Sequence, residues 1–420
     1  MTTILFASTH DAAAITTNLS GSAACAALGG TWDIPTSTCS VHNLTINSGN
    51  TLVIPSGVTL SNFGPGDTLD NFGSINISSG GTLAGIGTGG LGGEDFTNHA
   101  GGQVNNHGTI TYDLSGITND GTINNKGSIS VGHGELANFP TGVINNNQVG
   151  TITVSGETGT ISNGKINNAG TITIETDAGF ENDGTINNGL TGTINSPDAQ
   201  EFFNLGKLNN AGSLTGVILT NSGTINNGGT ITAIDLENRL TSGIINNQGA
   251  IDGGNRLDNF GTINVGTTGS LFAESGGQVN NHDGAVINNH GTFSLGENGL
   301  ANDGRINNSG FLQVSNFGFS NNAGGVIKNE KGGLISNEAT SVSFNKGTII
   351  NQAGATINNR QESTLTNTGG TVSNYGTINN ENDAPGASTF DNTGGTVKDI
   401  CGGAFNNSGT FLGNAIVTTC

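Results

Sequence analysis

Short apolar runs, punctuated by glycine and asparagine, recur along almost the whole chain. The basic pattern is an apolar residue, any residue and an asparagine, with a glycine close behind, and its copies extend from Leu69 to Phe405 at an average step of about 21 residues. The commonest phrase, Gly-Thr-Ile-Asn-Asn, stands unaltered at Gly121–Asn125, Gly184–Asn188, Gly223–Asn227 and Gly376–Asn380. A fixed period of this length predicts a repeat architecture in place of several globular domains.

Each step contains three apolar anchors about six residues apart, as in Leu219, Ile225 and Ile231. Helices are excluded, because glycine and asparagine at this density would each cost up to about 1 kcal/mol relative to alanine. Three short strands and three turns per step predict an all-β chain that forms one long parallel β-helix, or β-solenoid. The preference for right-handed crossovers favours a right-handed coil.

Side-chain alternation assigns a role to each residue of the phrase. In Thr-Ile-Asn-Asn we expect the isoleucine to point into the core, and the threonine and the first asparagine to point outward. The second asparagine tolerates a left-handed conformation and can satisfy the backbone at the corner, and the glycine allows the chain to reverse direction. Stacked asparagines of successive coils are expected to form a ladder of amide hydrogen bonds.

The repeat is missing at both ends. We therefore predict an N-terminal extension and cap in residues 1–43, repeats in 44–400 and a C-terminal cap coil in 401–420. Within the first segment, Ser22–Leu28 has the composition of a short helix that ends at a glycine pair. The extreme N-terminus predicts an extended strand suited to assembly, formed by Thr2, Thr3, Ile4, Leu5, Phe6 and Ala7.

Four cysteines lie near the ends, at Cys25, Cys39, Cys401 and Cys420. Their clustering favours two local disulfides, Cys25–Cys39 and Cys401–Cys420, although four cysteines allow three pairings that sequence does not distinguish. A zinc site is disfavoured, because the cysteines lack C-x-x-C spacing. Disulfides indicate an oxidising compartment, and we expect the protein to be extracellular or on the cell surface.

Composition and charge narrow the classes of partner that the chain is expected to bind. The 420 residues carry a formal net charge of −20, which opposes binding to nucleic acid or to anionic membranes. No apolar stretch approaches the 18 to 20 or so residues of a membrane span. The N-terminal apolar run is too short for a signal peptide and lacks its basic region, so the export route stays open.

Catalysis is not expected. The tripeptide Gly132-His133-Gly134 is similar to the Gly-His-Gly of polygalacturonases, a family of β-helical enzymes. The chain lacks that family's Asn-Thr-Asp, its paired aspartates and its Arg-x-Lys clamp, so the acid and the base of glycoside hydrolysis have no counterpart. We interpret the histidine as a turn residue.

Three other patterns raise possible binding chemistry, and each has a plainer interpretation. Two histidine pairs, His99/His107 and His282/His290, occupy a turn position that elsewhere holds lysine, alanine or glycine, so turn residues are favoured over metal ligands. Asn-Asp-Gly triplets favour Asx turns, and calcium is the weak alternative to having no cofactor. Rows of Thr-x-Thr could bind ice, but the outward residues vary along the chain, which favours a solvated sheet; the rows are Thr109–Thr111, Thr151–Thr153 and Thr230–Thr232.

The repeat region resembles the Gly/Asn-rich β-solenoid surface proteins of bacteria and archaea. The lead-in resembles predicted exported repeat proteins of ammonia-oxidising archaea, in the stretches Ala24–Asp33, Leu44–Gly49 and Ile54–Leu60. This resemblance implies a β-solenoid fold and export, and it transfers no functional residue.

Together these features predict an extracellular structural protein that is not an enzyme. Its sharpest form is a filament or surface-fibre subunit that binds its own copies head to tail, with exchange of the N-terminal strand. The alternative is an adhesin-like or carbohydrate-binding surface protein, with glycans as partners. A polysaccharide-degrading enzyme is the least favoured class.

Overall fold

The computed structural model describes residues 14–419, apart from 64–65, 87–94, 114–115, 156–158, 176–177, 199, 274–276, 297–298 and 385. The chain divides into two compact units, the first ending at Val217 and the second beginning at Ile218. In each unit the chain winds into coils of three short strands, and strands of successive coils pair in parallel and in register. The predicted all-β parallel solenoid is confirmed.

We number the three faces of a coil in chain order. In the first unit, face 1 is formed by Thr16–Asn18, Thr51–Ile54, Ser74–Ile77, Gln103–Asn106, Thr122–Asn125, Val143–Asn146, Lys165–Asn168, Thr185–Asn188 and Lys207–Asn210. Face 2 is formed by Thr38–Val41, Thr59–Phe63, Thr82–Ile86, Thr109–Tyr112, Ser128–Val131, Thr151–Val154, Thr171–Ile174, Thr193–Asn195 and the start of Ser213–Asn221. Face 3 is formed by Leu44–Ile46, Thr68–Asn71, Asp95–Asn98, Ile117–Asn119, Leu136–Asn138, Thr160–Ser162, Phe180–Asn182 and Glu201–Asn204.

The second unit repeats this order. Its face 1 contains Thr224–Asn227, Ile244–Asn247, Thr262–Val265, Val286–Asn289, Arg305–Asn308, Val326–Asn329, Thr348–Asn351, Thr371–Asn374, Thr396–Ile400 and Val417–Thr419. Face 2 contains the start of Thr230–Asn238, then Ala250–Asp252, Ser270–Ala273, Thr292–Leu295, Phe311–Ser315, Leu334–Glu338, Thr356–Asn359, Thr377–Asn380 and Ala404–Asn407. Face 3 contains the end of Thr230–Asn238, then Arg256–Asn259, Gln278–Asn281, Leu300–Asn302, Phe319–Asn321, Val342–Asn345, Thr364–Asn367, Thr389–Asn392 and Thr410–Gly413.

Three further elements lie outside this stacking. The helix Ser22–Ala27 begins after Gly21 and is followed by Gly29 at φ 76°, as its composition predicted. The strand Thr31–Asp33 pairs antiparallel with Thr38–Val41 at the start of face 2. The insert that follows Asn380 forms a hairpin of two short antiparallel strands, Asn382–Asp383 and Gly386–Ala387.

Isoleucine, leucine, valine and phenylalanine from all three faces fill the interior. Ile123, Ile144 and Ile166 lie in register on successive coils and are almost completely buried. Burying such a side chain stabilises the fold by roughly 1.5–3 kcal/mol. Most strands bury one or two apolar side chains, and together these supply the core of each unit.

The second asparagine of the phrase is buried and does not adopt the left-handed conformation that the sequence allowed. Asn125 is buried beside the core, because it lies two positions after Ile123 and alternation turns both side chains inward. Only two asparagines, Asn43 and Asn316, are left-handed in the described ranges, and neither belongs to the phrase. The left-handed conformation is therefore not used, but Asn125 does satisfy the backbone at the corner, because its Oδ1 accepts from Gly127 N at 3.2 Å.

The predicted ladders are present and form two rows. On face 1 of the first unit, the buried asparagines are hydrogen-bonded to one another at 2.7–2.8 Å over sequence separations of 19 to 22; they are Asn106, Asn125, Asn146, Asn168, Asn188 and Asn210. The preceding, half-buried asparagines form an outer row at 2.8–2.9 Å, through Asn76, Asn105, Asn124, Asn145, Asn167, Asn187 and Asn209. Stacked amides thus satisfy polar groups inside a narrow core.

The phrase is not tied to one face. Gly121–Asn125, Gly184–Asn188 and Gly223–Asn227 end in face 1 strands, whereas the strand of Gly376–Asn380 pairs with Thr356–Asn359 on face 2. One other copy of the repeat pattern is shifted by one residue. On face 3 the inward side chains are Thr160 and Ser162, in place of Ile161 and Asn163. Ser162 Oγ accepts from Asn138 Nδ2 at 3.4 Å.

Candidate functional surfaces

The predicted cysteine cap exists at the N-terminal end. Cys25, on the helix, and Cys39, on the first face 2 strand, are buried and disulfide-bonded. The bond holds the helix against the edge of the first coils. The second predicted pair, Cys401–Cys420, includes a residue outside the described ones, and it stays a prediction.

An apolar cavity of about 230 Å³ opens beside this cap. Its lining includes Leu28 after the helix, Ile15 before the first face 1 strand, Leu52 on the second face 1 strand, and Leu44 and Ile46 on the first face 3 strand. Leu44–Ile46 pairs with Thr68–Asn71 on one side, and within the described residues nothing pairs on its other side. The cavity and an open strand edge therefore coincide. The predicted assembly strand, Thr2–Ala7, lies outside the described residues.

The C-terminal end of the second unit has open edges on all three faces. Among the described residues, Ala404–Asn407, Thr410–Gly413 and Val417–Thr419 each pair only with the preceding coil. Apolar groups are exposed there, with Leu412 at 49% and Val417 at 50%. This coil carries core-type residues that nothing in the described chain covers.

Two histidines form the same cluster, one in each unit. The His99 ring stacks on Phe72 with centroids 3.9 Å apart, and its Nε2 lies 2.8 Å from Asp70 Oδ1. In the second unit His282 stacks on Phe260 at 3.8 Å, and its Nε2 lies 3.4 Å from a carboxylate oxygen of Asp258.

The sequence carries a signal for these clusters that the 21-residue period does not reveal. The pentapeptide Leu-Asp-Asn-Phe-Gly occurs at Leu69–Gly73 and again at Leu257–Gly261, and an Asn-His pair follows one coil later in both places. The aspartate and the phenylalanine come from one coil and the histidine from the next. The clusters link adjacent coils, and their rings cover each other.

The predicted histidine pairs do not converge. His99 follows face 3 and His107 follows face 1, so the two lie at different corners. His290 contacts Ser309 Oγ at 2.6 Å, and His133 lies on an exposed turn 3.9 Å from Asp113. Within the described ranges no three His, Cys, Asp or Glu side chains are grouped to hold a metal ion.

The Asn-Asp-Gly aspartates, Asp120, Asp183 and Asp303, lie on separate turns between face 3 and face 1. Their preceding asparagines belong to the buried ladder of face 3, so the triplet marks where that face ends. The plainer interpretation of these residues as turn positions fits this placement.

One carboxyl group in the described part of the chain has a raised pKa. Glu135 precedes the face 3 strand Leu136–Asn138 and is half-buried, and desolvation by burial raises the pKa of its carboxyl above 4.5. Its backbone carbonyl accepts from Ile117 N at 2.8 Å, which holds it in place.

Face 1 of the first unit differs from the rest of the surface in charge. The unit's sequence contains three lysines and no arginine, and all three lie on or beside this face at Lys126, Lys165 and Lys207. Its described strands contain no aspartate or glutamate. Each lysine is exposed, and none is ion-paired with a described carboxylate.

Two shallow depressions of about 460 and 530 Å³ meet on this face at Asn187. The outer asparagine row lines one of them, and Lys165 lies in the other. Each outer carboxamide uses one N–H and one oxygen lone pair in its row, so the second N–H and lone pair remain for a ligand. The face offers a repeated array of hydrogen-bonding groups beside a positive charge.

No family model matches the chain, and no curated protein matches it. Among solved structures, the chain is similar to a crystal structure of a TibC-catalyzed hyper-glycosylated TibA55-350 fragment, with 18% identity over 89% of this chain and 99% of that one. The TM-score is 0.19, so the likeness carries no argument about function. No helix in the described part of the chain is long and apolar enough to span a bilayer.

Proposed function

We propose that the chain is an extracellular structural protein whose copies join end to end into a filament. The observation that carries this proposal is the pair of open ends: unpaired apolar strands in the last coil, and an apolar cavity beside an unpaired strand in the first. Unpaired strand edges recruit further strands, and a head-to-tail contact that does not close generates a fibre. The buried disulfide supports an extracellular location.

The N-terminal edge gives this assembly a specific form. In each coil a face 3 strand directly precedes a face 1 strand, but Thr16–Asn18 has no described face 3 strand before it. We assign that position, next to Leu44–Ile46, to the Thr2–Ala7 segment of a neighbouring copy. Ile4 and Phe6 fall on the same side of an extended strand and would fill the apolar cavity.

Deletion and edge variants test this assembly. Filaments are expected to form at high concentration, and removal of residues 1–8 should abolish them, as judged by light scattering and negative-stain images. The double variant Leu412→Lys/Val417→Lys charges the C-terminal edge and should block growth, whereas Leu190→Lys, on an exposed turn, should not. A protein that stays monomeric, or a deletion without effect, would contradict the proposal.

A second candidate is an adhesin-like, glycan-binding surface protein, and face 1 of the first unit favours it. An extended acidic glycan would place carboxylates near Lys165 and Lys207, which lie two coils apart, or about 9.6 Å. Glycan arrays probed with the protein and with Lys165→Gln/Lys207→Gln test this. Lys346→Gln, an exposed lysine of the second unit, is the control. Selective binding that the double variant loses would support this candidate.

We also propose that the protein is not catalytic. The absence of the polygalacturonase residues from the sequence supports this, together with the turn position of His133. Incubation with acidic polysaccharides, followed by an assay of new reducing ends, is expected to show none. Release of reducing ends that depends on His133 would contradict it.

A further inference from the structure

Face 2 of the first unit presents a column of hydroxyl groups. The first position of each of its strands is threonine or serine, from the first coil to the last: Thr38, Thr59, Thr82, Thr109, Ser128, Thr151, Thr171, Thr193 and Ser213. These residues are paired in register between neighbouring coils. One hydroxyl therefore recurs at each coil step, without an interruption.

A second column runs parallel to the first, two residues further along each strand. It contains Ser40, Ser61, Ala84, Thr111, Ser130, Thr153, Thr173, Asn195 and Thr215, all of them small or polar and none charged. Ser61 and Ala84 are buried and Asn195 has no hydroxyl, so both columns present hydroxyls in the four coils from Thr109 to Thr173. Although the chain has a net charge of −20, no charged residue lies on these strands.

The spacing of this array follows from β-sheet geometry. Neighbouring strands lie about 4.8 Å apart, and residues two positions apart along a strand lie about 6.6 Å apart. Within the described residues, the hydroxyls of the four central coils make no hydrogen bond to the protein; these are Thr109, Thr111, Ser128, Ser130, Thr151, Thr153, Thr171 and Thr173. A regular two-dimensional lattice of water-binding groups results.

Strand propensity alone does not explain this regularity. Face 1 of the same coils carries Gln103, Thr122, Val143 and Lys165 at the equivalent first position. On face 2 of the second unit, the outward residues include Asp252, Phe272, Phe311 and Gln313. The hydroxyl array is confined to one face of one unit, which is expected when a ligand selects it.

We propose that face 2 of the first unit binds ice. Its two spacings approximate the repeats of water oxygens in the surface planes of an ice crystal. Each threonine hydroxyl would hold a water molecule at a lattice position, while the neighbouring γ-methyl offers that water no competing partner. This binding is independent of end-to-end assembly. The variation that disfavoured ice binding in the sequence comes from pooling three faces.

Thermal hysteresis and partition of the purified protein into a growing ice hemisphere test the proposal. The wild-type protein should show both, and Thr151→Lys, at the centre of the array, should lower them at least tenfold. The control Thr185→Lys makes the same change on face 1 and should retain full activity. Thermal melts of both variants show whether the fold is kept.

Three results would overturn the proposal. The wild-type protein could show no hysteresis and no partition into ice. Thr185→Lys could lower activity as much as Thr151→Lys does, which would place the contact elsewhere. Finally, the hydroxyl face could bind particulate chitin or cellulose, or a second copy of the chain, without binding ice, and Thr151→Lys would then disrupt that contact alone.

Discussion

The side-chain amide of Asn125 donates to Asn146 Oδ1 in the next coil at 2.8 Å, and one position earlier Asn145 donates back to Asn124 Oδ1 at the same distance. The buried and outer rows of one face therefore run in opposite directions. The two rows of side-chain dipoles oppose each other, so the stack accumulates no large dipole from them. Each amide of the buried row also donates its second N–H to the backbone, as Asn125 does to the carbonyl oxygen of Thr151 at 2.9 Å.

The two rows should differ in their importance for stability. Replacing Asn146 with alanine removes three hydrogen bonds, to Asn125, Asn168 and the carbonyl of Thr171, and leaves buried partners unsatisfied. Since each unsatisfied buried group costs about 1–3 kcal/mol, we expect a loss of at least 3 kcal/mol. Asn145→Ala, in the half-buried row, should cost about 1 kcal/mol. Denaturant titrations of both variants measure the difference, and equal losses would refute the assigned roles.

The sequence predicted the ladder of asparagines but not that one of its rows points into the core. Alternation from Ile123 places Asn125 on the core side, yet a lone buried amide is costly, which made a turn role attractive for it. The amide becomes satisfied only because Asn106 and Asn146 lie above and below it, at separations of 19 and 21 residues. Satisfaction of this kind is a property of the stack and is invisible within one repeat.

The glycine of the phrase is required by close packing. Gly184 does not have a left-handed φ, but a Cβ built there would collide with the carbonyl oxygen of Gly164 in the preceding coil. Since backbone cannot move aside cheaply, Gly184→Ala should destabilise the unit by several kcal/mol. Gly179→Ala is the control, because its Cβ would meet no atom within 4 Å. It should be neutral or stabilise by up to about 1 kcal/mol.

Thermal unfolding of these two variants checks the expectation. If Gly184→Ala melted like the parent protein, the close approach of neighbouring turns would not constrain this position. A similar loss in Gly179→Ala would indicate that alanine is tolerated nowhere in these turns, whatever the space around it.

The N-terminal disulfide should stabilise the first unit measurably. Cys25 and Cys39 are 14 residues apart, and in the chain-entropy model a loop of that length contributes about 3 kcal/mol. Cys25→Ser/Cys39→Ser should therefore lower the free energy of unfolding by about that amount. Reducing agent should lower the free energy of unfolding of the parent protein by breaking this bond. The double variant lacks the bond and should show no such loss. Insensitivity of both proteins would show that the cap does not limit unfolding.

The candidate surfaces were harder to predict than the fold. Sequence spacing places a residue in a strand, but the face on which that strand lies depends on turn lengths that vary from coil to coil. The fourth Gly-Thr-Ile-Asn-Asn copy moves to face 2 for this reason, and the hydroxyl columns become visible only after the strands are sorted by face. The contact of Phe72 with His99 likewise needs the register between two coils.

Glu135 should make stability depend on pH in a recognisable direction. Burial raises the pKa of this carboxyl in the folded protein, so folding favours its neutral form. Its contribution is fully present below the pKa of the unfolded chain and is lost as the pH rises through the folded pKa. Glu135→Gln keeps a neutral side chain at every pH. It should therefore be more stable than the parent at pH 7 and match it near about pH 3.5.

Thermal melts of parent and variant at the two pH values measure this effect, and Glu201→Gln provides the control. Both substitutions remove one negative charge from a chain of net charge −20, which by itself favours the compact state. Glu201 is exposed, so its substitution reports that general effect alone. An excess gain for Glu135→Gln at pH 7 that disappears in acid identifies desolvation as the cause, whereas equal gains for the two variants would assign the effect to net charge.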